Sequence, residues 1–376
     1  MAMRMPCVSE WWRNNTGMMI NEMMKKDIKK LLRPNIAALT PYSTARDEFQ
    51  GSAEVYLDAN ESAYDNGFNR YPDPRQKVLK KAIAQAENIK EECLFLGNGS
   101  DEAIDVLLRV FCNPGVDNVV SISPSYGMYE VAAATNDVEL RKVRLREDFS
   151  LDAKALLAAV DEKTKIVFLC SPNNPSGNSL NEEDILRIAQ VMDGIVVVDE
   201  AYIHYSDHPG FADRIESQNN IVVLRTLSKA RAMAGLRVGM AIADPEIVEV
   251  MSMVKYPYNL SQATINEALR HLDTPSLTRT KEEISTTIKE RARMAESLPE
   301  LACVKKVYPS DANFLLVKVD NADALYDYLA SKGIIVRNRN RVPGCEGTLR
   351  ITIGRPEENN RVLEEIRNYA GEVLND

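Results

Sequence analysis

The chain is poor in histidine, in tryptophan and in clustered cysteine, and each scarcity removes a class of function. Its 376 residues include only three histidines, His204, His208 and His271. His204 and His208 have the i,i+4 spacing of helical metal ligands, but Tyr202-Ile-His-Tyr-Ser-Asp-His-Pro209 reads as a strand end entering a loop. Surface histidines and no metal site are expected. The six cysteines, Cys7, Cys93, Cys112, Cys170, Cys303 and Cys345, are scattered, with no Cys-x-x-Cys pair. Reduced thiols in a cytoplasmic protein are the expectation. No apolar run is long enough to span a bilayer. Positive charge is not in excess either: 46 Lys and Arg against 55 Asp and Glu leave a net −9. That balance argues against nucleic acid as the main partner, yet leaves room for a local basic pocket that takes an anion. Met1 to Asn21 is Met-rich and carries Trp11-Trp12, without a continuous apolar core or a small-residue cleavage site. A loosely ordered extension is expected there, not a signal peptide.

What is present is an alternation. With 45% hydrophobic and 27% charged residues, the chain reads as globular and long enough for more than one packed domain. Helices are expected over Glu22–Leu32, stopped by Pro34, and over Gln76–Glu87; a strand candidate lies between them at Glu54–Leu57. From Leu94 strand and helix alternate. Strand candidates are Leu94–Leu96, Val119–Ile122, Glu139–Val143, Ile166–Cys170, Ile195–Val198, Ile221–Leu224 and Val238–Ala243. Several are continuous Val/Ile runs, the pattern of strands covered by helices on both faces. Beyond Pro245 the chain reads as helical to about Ser297. Strands then follow at Val304–Val307, Phe314–Val319, Ile334–Val336 and Leu349–Ile353, with helices at Ala322–Ser331 and Pro356–Val373. The expected fold is α/β: a large domain with a mostly parallel sheet covered by helices, plus a smaller α+β domain. The division is 1–55 for an N-terminal extension and arm, 56–290 for the large domain and 291–376 for the small one.

Open α/β sheets bind ligands outside the carboxyl ends of their strands. Four strand ends carry chemistry. Gly97-Asn-Gly-Ser-Asp-Glu102 runs from a strand into a helix, where free N–H groups suit an anion; many such turns contain glycine without binding one. Ser171-Pro-Asn-Asn-Pro175 holds an amide at a stiffened tip, or is ordinary Asn-Pro turn chemistry. Asp199 ends a buried run and needs a partner charge, a structural arginine being the bland choice, and Tyr202 follows it. Arg225-Thr-Leu-Ser-Lys-Ala-Arg231 places Lys229 just past another strand, with Arg237 eight positions on. Lys229 is either an exposed loop lysine or a desolvated, imine-forming nucleophile. A Schiff-base lysine, an acid for a ring nitrogen, donors for a ring oxygen and a phosphate cradle are together what pyridoxal 5′-phosphate requires.

At this point a family resemblance enters. Leu39-Thr-Pro-Tyr42, Ala59-Asn-Glu61, Arg70-Tyr-Pro72, Gly99-Ser-Asp-Glu102, Ser171-Pro-Asn-Asn-Pro175, Asp199-Glu-Ala-Tyr202, Thr226-Leu-Ser-Lys-Ala230, Ala234-Gly-Leu-Arg237 and Leu349-Arg-Ile-Thr352 stand in one order. The chain resembles the fold-type I aminotransferases, and within them the histidinol-phosphate aminotransferases, from about Ile36 to the C-terminus. The resemblance implies aspartate aminotransferase-like architecture and pyridoxal 5′-phosphate bound through a Schiff base to Lys229. Asp199 would pair with the ring nitrogen, Tyr202 and Asn174 with the ring oxygen, and Tyr126 would stack on the ring. Ser100, Asp101, Ser228 and Arg237 would hold the phosphate. A homodimer is implied, with Tyr71 reaching the other subunit's cofactor. Tyr42, Asn60, Glu61, Arg337 and Arg350 would contact substrate.

The reaction implied is amino transfer between L-histidinol phosphate and 2-oxoglutarate in histidine biosynthesis. An aminotransferase for aromatic or other amino acids and a threonine-phosphate decarboxylase are the alternatives on the same scaffold. A transcription regulator with this fold needs an N-terminal DNA-binding domain, for which the residues before Tyr42 are too few. Arg231 departs from the apolar or aromatic residue expected two places after the lysine.

Overall fold

In the computed structural model, residues 25–42, 51 and 53–373 are described. The readings for Met1 to Asn21, the first part of the Glu22–Leu32 helix and the start of the N-terminal arm lie outside them. Seven strands form the main sheet: β1 (Leu94–Asn98), β2 (Asn118–Ser123), β3 (Glu139–Arg144), β4 (Thr164–Cys170), β5 (Ile195–Asp199), β6 (Ile221–Thr226) and β7 (Val238–Ile242), in the order β1-β7-β6-β5-β4-β2-β3. β7 pairs antiparallel with both β1 and β6, and the remaining pairs are parallel. The reversal places the start of β7 on the same rim as the carboxyl ends of β1, β4, β5 and β6.

The continuous apolar runs are explained by two cores. Val196 and Val198 of β5 and Val223 of β6 join one cluster, while Ile195 and Val197 of β5 and Val222 of β6 join the other. Side chains alternate across a strand, so a strand buried on both faces has no polar position to spare. Each such side chain stabilises the fold by roughly 1.5–3 kcal/mol.

A second sheet, β8 (Val304–Val307), β9 (Phe314–Val319), β10 (Arg337–Asn338) and β11 (Thr348–Thr352), has the order β10-β11-β9-β8 and its own core with the helices Ala322–Ser331 and Pro356–Val373. The strand expected at Ile334–Val336 is absent. Gly333 (φ 75°) closes the preceding helix, and the Ile334 N–H donates to Leu329 O at 2.9 Å, so Ile334 and Val336 pack onto the helical core instead of pairing. Pairing begins one residue later, and Arg337 then lies directly opposite Arg350.

Three further expectations change. Glu54–Leu57 is no strand: it pairs with neither sheet, and Val55 and Leu57 are 71% and 87% exposed. Of the helix expected over Glu22–Leu32, only Ile28–Leu31 is helical among the described residues, and Pro34 starts a second short helix, Pro34–Ala37. His204 is not a surface histidine, because its Nε2 meets the buried Glu87 carboxylate at 3.1 Å. His208 and His271 are exposed, as expected.

Candidate active site

The connection between β6 and β7 is a tight turn. Leu227 N donates to Val238 O and Met233 N to Leu227 O, both at 3.0 Å, and Arg237 adopts a left-handed backbone (φ 56°) before β7 begins. Lys229 and Arg237 therefore leave one loop on the same rim. Arg237 Nη1 donates to Ser228 Oγ at 3.3 Å, and its Nη2 lies 3.4 Å from Asp101 Oδ2. Gly99 N donates to Arg237 O at 2.7 Å, and the helix Ser100–Phe111 starts beside it. Serine hydroxyls, a guanidinium and a helix N-terminus converge there, an arrangement suited to phosphate.

Glycine is required at two places. A Cβ on Gly99, at φ 77°, would lie 2.6 Å from Arg237 Nη2, and one on Gly239 would overlap Ser100 N. Gly239→Ala must displace backbone. It is expected to cost about 2–4 kcal/mol of stability and to weaken binding of inorganic phosphate at the cradle, by thermal unfolding with and without phosphate.

Asp199 ends β5 and is 3% exposed. Its Oδ2 accepts from Tyr129 Oη at 2.6 Å and its Oδ1 from Ala201 N at 3.1 Å. Burial raises its pKa in spite of both bonds. The amine of Lys229 is shifted the other way, downward, by burial and then by the charges of Arg350 and Arg237. Its Nζ lies 5.7 Å from the centre of the Tyr202 ring, which packs edge-on against Phe314. Burial pushes the Tyr202 phenol up. Tyr126 donates to Asp101 Oδ1 at 2.9 Å and meets Tyr129 edge-on.

The small sheet supplies the opposite wall. Arg350 Nη1 donates to Asn174 Oδ1 at 2.5 Å, and its guanidinium lies over Phe314. Arg339 is lowered to about 10 by burial and by the charges of Arg350 and Arg337. Among the described residues no carboxylate pairs with Arg337, Arg339 or Arg350. Three cations without acids make a strong anion site.

One cavity of about 810 Å³ is lined by Lys229, Asp199, Tyr202 and the rest of the expected cofactor set except Tyr71, together with Arg337 and Arg350. Tyr42, Asn60, Glu61 and Tyr71 lie outside it. Tyr42 is 77% exposed, and Tyr71 stacks on Tyr258 at 4.5 Å. Glu61 accepts from Arg70 Nη1 and Tyr71 N at 2.7 and 2.6 Å, and the adjacent Asn60 has a left-handed backbone.

The family pattern for aminotransferases of class I and II matches residues 44–366. The chain belongs to this aminotransferase family. A histidinol-phosphate aminotransferase of Parabacteroides distasonis is 53% identical over 91% of this chain and 99% of its own. The crystal structure of the histidinol-phosphate aminotransferase from Clostridium acetobutylicum is similar at a TM-score of 0.73, with 26% identity, over 81% of this chain and 91% of that one. A second structure, histidinol-phosphate aminotransferase from Sinorhizobium meliloti in complex with pyridoxal-5′-phosphate, has the same fold at a TM-score of 0.72, with 24% identity over 81% and 84% of the two chains.

Two residues of this aminotransferase's cavity escape sequence reasoning. Tyr129 sits inside the helix Met128–Thr135 and stacks on Phe168, as a core residue would, yet its hydroxyl holds Asp199. Arg339 looks like one arginine of several, and only its burial beside Arg350 sets it apart.

Proposed function

We propose that this aminotransferase moves the amino group of L-histidinol phosphate to 2-oxoglutarate, giving imidazole-acetol phosphate and glutamate, the transamination of histidine biosynthesis. The observation that carries the reading is the wall of unpaired arginines facing Lys229, in a chain 53% identical to an enzyme of that name. A phosphate and a dicarboxylate both need such a wall. Planar guanidinium groups can serve the two in turn.

The residues present fit pyridoxal 5′-phosphate. Asp199 is a buried carboxylate with no cation bonded to it among the described residues, and a protonated ring nitrogen would supply one. Gly99 and Gly239 let the Arg237 guanidinium and the Ser100 N–H approach closely, and that cluster of donors suits the phosphate. When bound, the cofactor withdraws electrons from the amino-bearing carbon. Ser100, the Asp101 backbone, Ser228 and Arg237 would hold the phosphate. Asp199, held by Tyr129, would pair with the ring nitrogen and favour its protonated form. Tyr202 and Asn174 would pair with the ring oxygen, and Tyr126 would stack on the ring. Lys229, with its lowered basicity, would accept the α-proton of the amino donor at Nζ. Arg337 and Arg350 orient substrate so that this proton faces the amine.

Tyr42, Asn60, Glu61 and Tyr71 are read as completing the cavity of a second subunit in a homodimer. The exposure of the large apolar side chains Val55, Leu57, Tyr64 and Phe68, in the same stretch of chain, supports that pairing. The enzyme is placed in the cytoplasm, with its phosphorylated substrate and keto acid.

Incubating the purified protein with histidinol phosphate and 2-oxoglutarate is expected to yield glutamate. Carbon dioxide from threonine phosphate without glutamate formation would make it a decarboxylase, and preference for aromatic donors a broader aminotransferase. Arg339→Gln is expected to lower kcat/KM for histidinol phosphate by about 10–100-fold, the loss of one charged contact, and to change that for unphosphorylated histidinol far less. Steady-state kinetics with both donors check this.

A further inference from the structure

Arg231, two places past Lys229, is 8% exposed and points away from the cavity. Its Nη2 donates to Glu87 Oε1 at 2.9 Å and to Ala86 O at 3.3 Å, at the end of the helix Lys77–Glu87. The other oxygen of Glu87, Oε2, takes Arg225 Nη1 at 3.0 Å and meets His204 Nε2 at 3.1 Å. Arg225 continues to Glu200 Oε2 through Nε at 2.9 Å and Nη2 at 2.8 Å, and Glu200 Oε1 accepts from Phe211 N at 2.5 Å. The side chains of Glu87, Glu200, Arg225 and Arg231 are 3%, 1%, 9% and 7% exposed, so solvent does not loosen these bonds.

Each member other than Glu87 neighbours a cavity residue in sequence. Glu200 follows Asp199, His204 is two past Tyr202, Arg225 precedes Thr226, and Arg231 is two past Lys229. The charged set is thus joined through the backbone, within one or two residues, to the strand tips that carry the cavity set. A buried ion network of this kind is weak evidence for stability, since apolar residues of similar volume often serve as well or better. What it provides is direction, because each carboxylate oxygen fixes a guanidinium in distance and plane.

We propose that Glu87 is a positioning residue: by holding Arg231, Arg225 and His204 on one carboxylate, it sets the Lys229 turn against the tip that carries Asp199 and Tyr202. The inference rests on Lys229 being the cofactor-bearing amine. In the holoenzyme, Glu87→Gln and Arg231→Gln are expected to lower kcat about 10–100-fold with KM changed less than about threefold, the cost of a small misplacement of a reacting group. The pH midpoint of the absorbance of Lys229-bound cofactor should move with kcat. Arg231→Lys should recover part of both, and the double variant should fall no further than either single one. Wild-type kcat and an unmoved absorbance midpoint in both single variants, whatever their melting temperatures, would overturn the proposal. Should Glu87→Gln fail to fold, the comparison of Arg231→Lys with His204→Gln decides by the same two readouts. A wild-type protein without any Lys229-dependent absorbance would instead overturn the cofactor reading.

Discussion

Lys229→Ala is expected to reduce glutamate formation on the order of ten-thousandfold or more, because one side chain serves as both covalent anchor and proton carrier. The cavity wall contains a second lysine, Lys142, but its ammonium is tied to Glu130 at 2.7 Å. Lys229 has no such partner among the described residues, and burial with the charges of Arg350 and Arg237 lowers its pKa. A lowered pKa enlarges the neutral fraction near pH 7, and the neutral amine is the form that attacks carbonyl carbon and accepts protons. Asp199 and Asp101 pull the other way, more weakly. Removing the cation at Arg350 (Arg350→Gln) should thus push the Lys229 titration to higher pH. Single-turnover kinetics and cofactor absorbance on Lys229→Ala check the main expectation. Activity within tenfold of wild type would reassign the amine.

Asp199→Asn is expected to cost about 100- to 1,000-fold in kcat, the rate equivalent of removing the charge from a buried ion pair. The same change should not harm the apoprotein. The folded-state pKa of Asp199 is raised above its unfolded value. A group shifted in that direction stabilises the folded state most fully below the unfolded pKa of about 4, and loses that contribution as pH rises through the folded pKa. At pH 8 the buried carboxylate is therefore a cost that asparagine lacks, while asparagine can still accept the Tyr129 hydroxyl. Cofactor-free Asp199→Asn should melt at or above the wild-type temperature at pH 8, with the difference shrinking as pH falls toward 4. A loss of activity accompanied by an equal loss of apoprotein stability would mean that Asp199 is structural.

The residues at the strand ends were legible because the rule that places them is local. A continuous run such as Ile195-Val-Val-Val198 has nowhere to go but the middle of a covered sheet, so the next residue, Asp199, must emerge at its rim. The strands at Val304–Val307 and Phe314–Val319 have the bounds expected for them. What stayed hidden depends on distant partners. The link from Tyr129 to Asp199 crosses between chain segments far apart in sequence; Pro124-Ser-Tyr-Gly-Met-Tyr129 belongs to the family resemblance, yet gives no hint that its last hydroxyl holds Asp199. Glu87 ends an amphipathic helix, where an acid ordinarily faces water; only the fold brings Arg225, Arg231 and His204 to it. Glu54–Leu57 fails for the converse reason, since β-prone residues make a strand only by pairing and these join neither sheet.

The antiparallel pairing of β7 with β1 also bears on how the protein assembles. Asn98 lies opposite Val238, and the Gly99–Arg237 bond joins the first strand of the large sheet to the last. Loop-closure entropy makes contacts of such long sequence separation slow to form. The anion cradle straddles that seam, so it is complete only when the final strand has entered beside the first. Capture of a phosphate-bearing cofactor during synthesis or refolding is thus a signal of finished topology, and chains stopped short of Arg237 should remain blind to it.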